Sequence, residues 1–261
     1  MKKAWVLSVA LLASGMLAAS ARAADLGDPA SALSIKEWVK GEAVEYKGGK
    51  SDNIYVVEFW ATWCGPCRTS IPHLTELQAK FKDKGVIFIG VSDESADKVK
   101  PFVDNMGDKM NYRVAVDPDR KTHDGYMKAY DQRGIPSAFI VNKEGKVAWV
   151  GHPMDNLEEA LEQVIDGKYD LAKAKKEFAE ERAAMAKMMK TGETMREYFE
   201  IVKDGKRKKK AAKLAKAIIK DGGSNPMLMN QFAWTILTEE DIKHRDLKTA
   251  LKAAKLAYDA T

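Results

Sequence analysis

The chain has 261 residues, 45% of them hydrophobic and 31% charged, with a formal net charge of +5 and two cysteines. That length fits one or two domains and that apolar fraction supports a buried core, which excludes a disordered chain, and the composition is not collagen-like. Two cysteines exclude a disulfide-dense scaffold and any four-cysteine zinc site.

The first element in the chain is an export signal. Lys2 and Lys3 precede an apolar run from Ala4 through Leu12, and Ala21-Arg22-Ala23 forms an A-x-A site before Ala24. Residues 1–23 are therefore expected to be a signal peptide cleaved after Ala23, leaving a periplasmic chain in an oxidising compartment. The alternative is an uncleaved N-terminal anchor, because no charge interrupts Ala4 to Ala21 and such a run is just long enough to span a bilayer. Beyond the leader the balance is 40 basic to 38 acidic residues, and no nucleic-acid partner is expected.

Residues 24–155 carry 18 basic and 20 acidic residues and alternate strand-like runs with helical patterns. Ile54 to Trp60, Val86 to Val91 and Ala138 to Val141 are short and rich in β-branched and aromatic residues, as core strands are. Between the first two, Ile71, Leu74, Leu77 and Phe81 recur at helical spacing and predict a helix over 68–82. Asp97 to Met106 predicts a second helix. Asn142 to Lys146 is a turn leading into Val147 to Val150, so this region is expected to close with a β-hairpin.

Residues 156–261 carry 22 basic and 18 acidic residues, with alanine-rich segments separated by glycines at 167, 192, 205, 222 and 223. This predicts an all-helical appendix, with Asp155 and Glu158 as a capping box and Gly167 as a stop. The basic run Lys206 to Lys210 reads as a solvated helix face. Met185, Met188, Met189 and Met195 read as one packing stripe. Asn230 to Trp234, followed by Ala250, Ala253, Ala254 and Ala257, resembles one helix pair of a tetratricopeptide-type repeat, with Trp234 expected in its core.

The chemistry concentrates at Trp63-Cys64-Gly65-Pro66-Cys67, directly after a predicted strand and directly before a predicted helix. A cysteine at the first turn of a helix faces unpaired N–H groups and the positive end of the macrodipole, which stabilises its thiolate. Cys64 is the expected nucleophile. Cys67, three residues on, is within disulfide reach and is the expected resolving thiol. A ring this small constrains the unfolded chain little, so the pair is a redox switch rather than a staple. Zinc would need two further ligands, whereas His73, His123, His152 and His244 are scattered singly; no metal and no cofactor are expected.

The run from Phe59 to Cys67 resembles the active-site strand and turn of thioredoxin-fold thiol-disulfide oxidoreductases, in particular the exported TlpA-like branch. The resemblance extends from about Leu33 to Met154 and includes Pro72, five residues after Cys67, and Gly134-Ile135-Pro136. It implies an α/β thioredoxin-like fold, a central mixed sheet flanked by helices, in residues 24–155. It also implies that Ile135 and a cis Pro136 hold extended substrate backbone beside the disulfide, with Trp63, Gly65 and Pro66 facing the substrate. Glu58, six residues before Cys64, stands where thioredoxins bury an acid that takes the proton of the second cysteine. Some TlpA-like proteins carry an acid three positions after that cysteine; here it is Ser70.

The implied activity is reduction of protein disulfides by dithiol exchange, with electrons from a membrane-embedded donor protein, because no flavin, nicotinamide or metal motif occurs. Two other classes compete. A peroxiredoxin-like peroxidase would need Pro-x-x-x-Thr-x-x-Cys, but Val57 and Ala61 hold the proline and threonine positions. In a non-catalytic interaction protein the helical appendix would be the working part and would bind a partner.

Overall fold

The computed structural model describes residues 23–203, 205–242 and 244–261. The expected signal peptide or anchor lies outside them, Ala23 apart. Among the described residues no helix is long and apolar enough to cross a membrane. The chain forms two compact units that divide between Tyr169 and Asp170.

The first unit is built on six strands: β1 (Glu37–Lys40), β2 (Ile54–Phe59), β3 (Val86–Ser92), β4 (Arg113–Val116), β5 (Ser137–Val141) and β6 (Val147–Gly151). Their order across the sheet is β1-β4-β3-β2-β5-β6. The three strands β2, β3 and β4 run parallel, whereas β1, β5 and β6 pair antiparallel with their neighbours. β2 has a partner on each edge and helices over each face, so all six of its residues are buried. That is why its sequence is a continuous apolar run, broken only by Glu58. β1 and β4 were not legible in the sequence; each is four residues long and lies at or next to the sheet edge.

One face is covered by α1 (Gly65–Phe81), α2 (Ala96–Met106) and α4 (Leu157–Ile165), which pack Ile71, Leu74, Val99 and Leu161 with Val56, Phe88 and Ile140 of the sheet. The other is covered by a short helix, α3 (Lys121–His123), that continues into a π-turn over Asp124–Lys128. There Tyr126 and Tyr130 stack edge-on against Phe139. The result is a thioredoxin-like α/β architecture followed by helices.

Two local readings need correction. Asn156, not Asp155, precedes α4, and it makes no side-chain capping bond. The compositional change near Asp155 is also not the unit boundary, because Leu157, Ala160 and Leu161 of α4 are core residues of the first unit. Gly167 does follow α4, with a left-handed φ of +68°.

The second unit contains α5 (Leu171–Val202), α6 (Lys208–Gly222), α7 (Pro226–Thr238) and α8 (Leu247–Asp259). Asp170, Asn225 and Asp246 cap the starts of α5, α7 and α8 by accepting backbone N–H bonds. The core gathers Tyr198, Ile218, Met229, Phe232 and Ile236 with Ala250, Ala253 and Ala257. Gly192 does not separate helices; it lies inside α5. The methionine stripe divides, since Met195 is buried while Met185 and Met188 are exposed. Trp234 is 66% exposed rather than in the core. The buried residues Met229, Phe232, Ala233 and Ile236 define the inward stripe of α7, and helical geometry turns Trp234 to the opposite side.

Candidate active site

Parallel pairing brings the C-terminal ends of β2 and β3 to one edge of the sheet, and α1 starts there. Cys64 is the N-cap of α1, with Pro66 in the first turn, where its missing N–H has no intrahelical role. The Cys67 N–H donates to Cys64 Sγ at 3.2 Å. The two cysteines form a disulfide across a Cα–Cα distance of 5.3 Å. Cys67 is fully buried and Cys64 nearly so, at 3% exposed, whereas Trp63 beside them is 70% exposed. Gly65 and Pro66 are exposed as well, so the disulfide lies just under the surface beside three accessible residues.

The turn before Cys64 is held by two side chains that sequence reasoning missed. Thr62 donates its N–H to Glu94 Oε2 at 2.6 Å and its hydroxyl to Oε1 at 3.0 Å. Arg68, one turn into α1, donates from both Nε and a terminal nitrogen to the Thr62 carbonyl, at 3.0 and 2.6 Å. The Thr62 peptide is thus fixed from both ends, two residues ahead of the nucleophile position. Nothing in the local sequence links position 62 to position 94.

The Ile135–Pro136 peptide is cis. The Ile135 carbonyl oxygen lies 3.7 Å from Cys64 Sγ, so this loop abuts the disulfide. Ser137 opens β5 opposite Phe59, which ties the loop to the strand that leads into the cysteine turn. Pro136 is buried and Ile135 half-buried. Ser70, at the position where some TlpA-like proteins carry an acid, is buried and donates to the Cys67 carbonyl at 3.0 Å.

Glu58 lies on the same face of β2 as Val56 and Trp60, the face covered by α1, and is 1% exposed. Neither carboxyl oxygen has a hydrogen-bond partner among the described residues. Burial alone pushes its pKa up to about 8 from an ordinary 4.5. Its register partner on β3 is Gly90. A methyl group on Gly90 would come within 3.0 Å of the Tyr112 ring, 3.1 Å of Trp60 Nε1 and 3.3 Å of Glu58 Oε2. The glycine therefore lets three buried polar side chains converge, and among the described residues neither Trp60 Nε1 nor the Tyr112 hydroxyl has a hydrogen-bond partner. Tyr112 is held well above its ordinary range by burial and then by the negative charge of Glu58. Trp60 was within reach of strand alternation; Tyr112 was not, since it comes from the segment before β4.

The arrangement can do one kind of chemistry. It offers a capped, sulfur-stabilising helix start, a second sulfur three residues on, and a buried carboxyl on the sheet face that α1 covers. These are parts for accepting and releasing thiolates.

A family model described as AhpC/TSA matches residues 26–150. The protein FixW of Rhizobium leguminosarum is 32% identical over 154 residues, which cover 56% of this chain and 68% of FixW. The thiol-disulfide oxidoreductase ResA of Bacillus thuringiensis is 34% identical over 110 residues, 42% of this chain and 60% of ResA. Among solved structures, the thioredoxin domain of a thiol-disulfide oxidoreductase from Bacteroides vulgatus is 26% identical, with a TM-score of 0.44 over 54% of this chain and 97% of that one. All of these matches leave more than two-fifths of the chain uncovered.

Proposed function

Since the chain belongs to the AhpC/TSA redoxin family and is a thiol-disulfide oxidoreductase, we propose that it is exported to the periplasm and reduces disulfides of protein substrates there, through Cys64 and Cys67. The observation that carries this reading is the placement of the Cys64–Cys67 pair at the start of α1, with Cys64 toward the surface and Cys67 behind it.

In the reduced protein the Cys64 thiolate is stabilised by the Cys67 N–H and the start of α1. It attacks one sulfur of a substrate disulfide, forming a mixed disulfide and releasing the other sulfur as a thiolate. Substrate backbone lies along Ile135 and Pro136, with Trp63, Gly65 and Pro66 forming the rest of the contact surface. Cys67 gives its proton to ionised Glu58 and attacks Cys64 Sγ; the second substrate thiolate leaves and the Cys64–Cys67 disulfide closes. Two electrons have passed to the substrate, so a donor must return them. A membrane-embedded dithiol protein fits that need, because the site residues include nothing that would hold a flavin or nicotinamide. The helical second unit supplies docking to a partner rather than chemistry.

Equilibrating the protein with defined thiol-disulfide buffers and trapping free thiols tests the direction. A reductant is expected near about −270 mV; a value near about −120 mV would make it an oxidant that introduces disulfides. Failure of the folded protein to cycle at all would overturn the dithiol mechanism.

A further inference from the structure

The second unit carries a surface that the redox chemistry does not use. Lys216 and Lys220 of α6 and Lys248 and Lys252 of α8 line one groove over a floor that includes Ala215 and Ile219. None of the four lysines is ion-paired among the described residues. The carboxylate that lines the groove, Asp246, is committed to the start of α8. There it accepts the Thr249 N–H at 3.0 Å and the Thr249 hydroxyl at 2.7 Å. Four like charges gathered in this way repel one another, and an anionic partner removes that penalty. The first turn of α6 adds Lys208, Lys209 and Lys210 at the positive end of the helix macrodipole, an unfavourable place for cations unless negative charge is near. Of these, Lys210 pairs with Glu197.

The charge does not stand alone. At about 3.6 residues per turn, Leu247, Leu251 and Tyr258 fall into one stripe of α8, and Lys248, Lys252 and Lys255 into the stripe beside it. The three apolar residues are 62%, 72% and 81% exposed, while Ala250, Ala253 and Ala257 of the same helix face the core. A polyanion alone would need the lysines and leave the apolar stripe in water. Another protein's apolar face would need the stripe and leave the lysines uncompensated. A bilayer surface uses both, since lipid phosphates meet the lysines and large apolar side chains enter the boundary between headgroups and acyl chains.

We propose that the second unit docks on an anionic phospholipid surface through the lysine groove between α6 and α8 and the exposed stripe of α8. This does not depend on the redox reading.

Flotation of the chain from Ala24 onward, the form left after removal of the expected signal peptide, tests it with vesicles. Without the apolar run over residues 4–21, the readout is the ratio of binding to anionic and to neutral vesicles. With half phosphatidylglycerol at low salt, partitioning is expected to exceed that onto pure phosphatidylcholine by at least about a hundredfold, and to fall steeply with salt. The pairs K216Q/K220Q and K248Q/K252Q should each lower the ratio by about tenfold or more, with unchanged unfolding midpoints. L247S/L251S should weaken binding while keeping its salt dependence. A ratio near one in the native chain would overturn the proposal, as would full retention of the ratio in both lysine pairs. Self-association through α8, or binding to an acidic polypeptide without binding to vesicles, would assign the surface to a protein instead.

Discussion

At the scale of single residues, Glu58 has the most to reveal. A carboxyl that titrates near 8 in the fold and at 4.5 in a free chain favours the protonated folded state. Its contribution to stability is therefore complete below about pH 4.5 and is lost as pH rises through about 8. E58Q, which keeps the shape and removes the charge, is expected to flatten stability over that window and to stabilise the fold above pH 8. Denaturant unfolding at pH 5, 7 and 9 measures this, and parallel curves for both proteins would show that Glu58 does not titrate as its burial requires. The same substitution bears on the chemistry. A base that must be ionised gives a resolution rate that rises with pH through the region of 8, although the apparent midpoint belongs jointly to Glu58 and Cys67. Stopped-flow decay of a mixed disulfide should slow by about a hundredfold in E58Q and lose that rising limb. An unchanged rate would remove Glu58 from the mechanism.

The element that governs the site from behind is β3. Gly90 is needed there for close approach rather than for an unusual backbone angle, because a methyl would press on Tyr112, Trp60 and Glu58 together. Two of these neighbours are rigid rings in a packed interior, so the strain has few ways to relax. G90A is expected to cost about 1–3 kcal/mol, read as a lower denaturant midpoint at constant slope. It should also shift the Glu58 titration, which a purely distant packing defect would leave in place. Wild-type stability in G90A would mean that the three side chains have more room than their contacts imply. In the turn before the disulfide, Glu94 and Arg68 fix Thr62 by charge-assisted bonds, so the turn entering α1 is defined by the loop after β3 as well as by α1 itself.

At the scale of the whole molecule, chemistry and surface divide between two units. Every residue assigned to the disulfide site lies before Tyr169, and the lysine groove lies wholly after Asp170. A chain ending at Tyr169 is expected to reduce a small generic disulfide within about twofold of the full chain, because no site residue or core residue of the first unit is removed. The same truncation should impair turnover of the native substrate. Insulin reduction against turnover of a substrate trapped by a Cys67→Ser variant separates the two; equal loss of both would mean that the second unit supports the site directly.

Local sequence determined what depends on local physics. The β-rich run into a Cys-Gly-Pro-Cys turn placed Cys64 at a helix start, because strand alternation, helical spacing and N-terminal capping all act within a few residues. Gly134-Ile135-Pro136 was placed by its resemblance to the cis-proline loop of thioredoxin-fold oxidoreductases, and Glu58 stood out as the one charge in a buried strand. What tertiary structure alone decided involves partners far apart in sequence. The edge strand β1 and its neighbour β4 are too short to signal themselves, and they exist because neighbouring strands offer hydrogen bonds. Glu94 reaches Thr62, Tyr112 closes over Glu58, and α4 joins the first core although its composition matches the helices of the second unit. The outward turn of Trp234 and the meeting of four lysines come from which helix faces pack together. Propensity and spacing act along the chain, whereas burial and electrostatics sum over whatever the fold brings near, and that sum is fixed only once the units have packed.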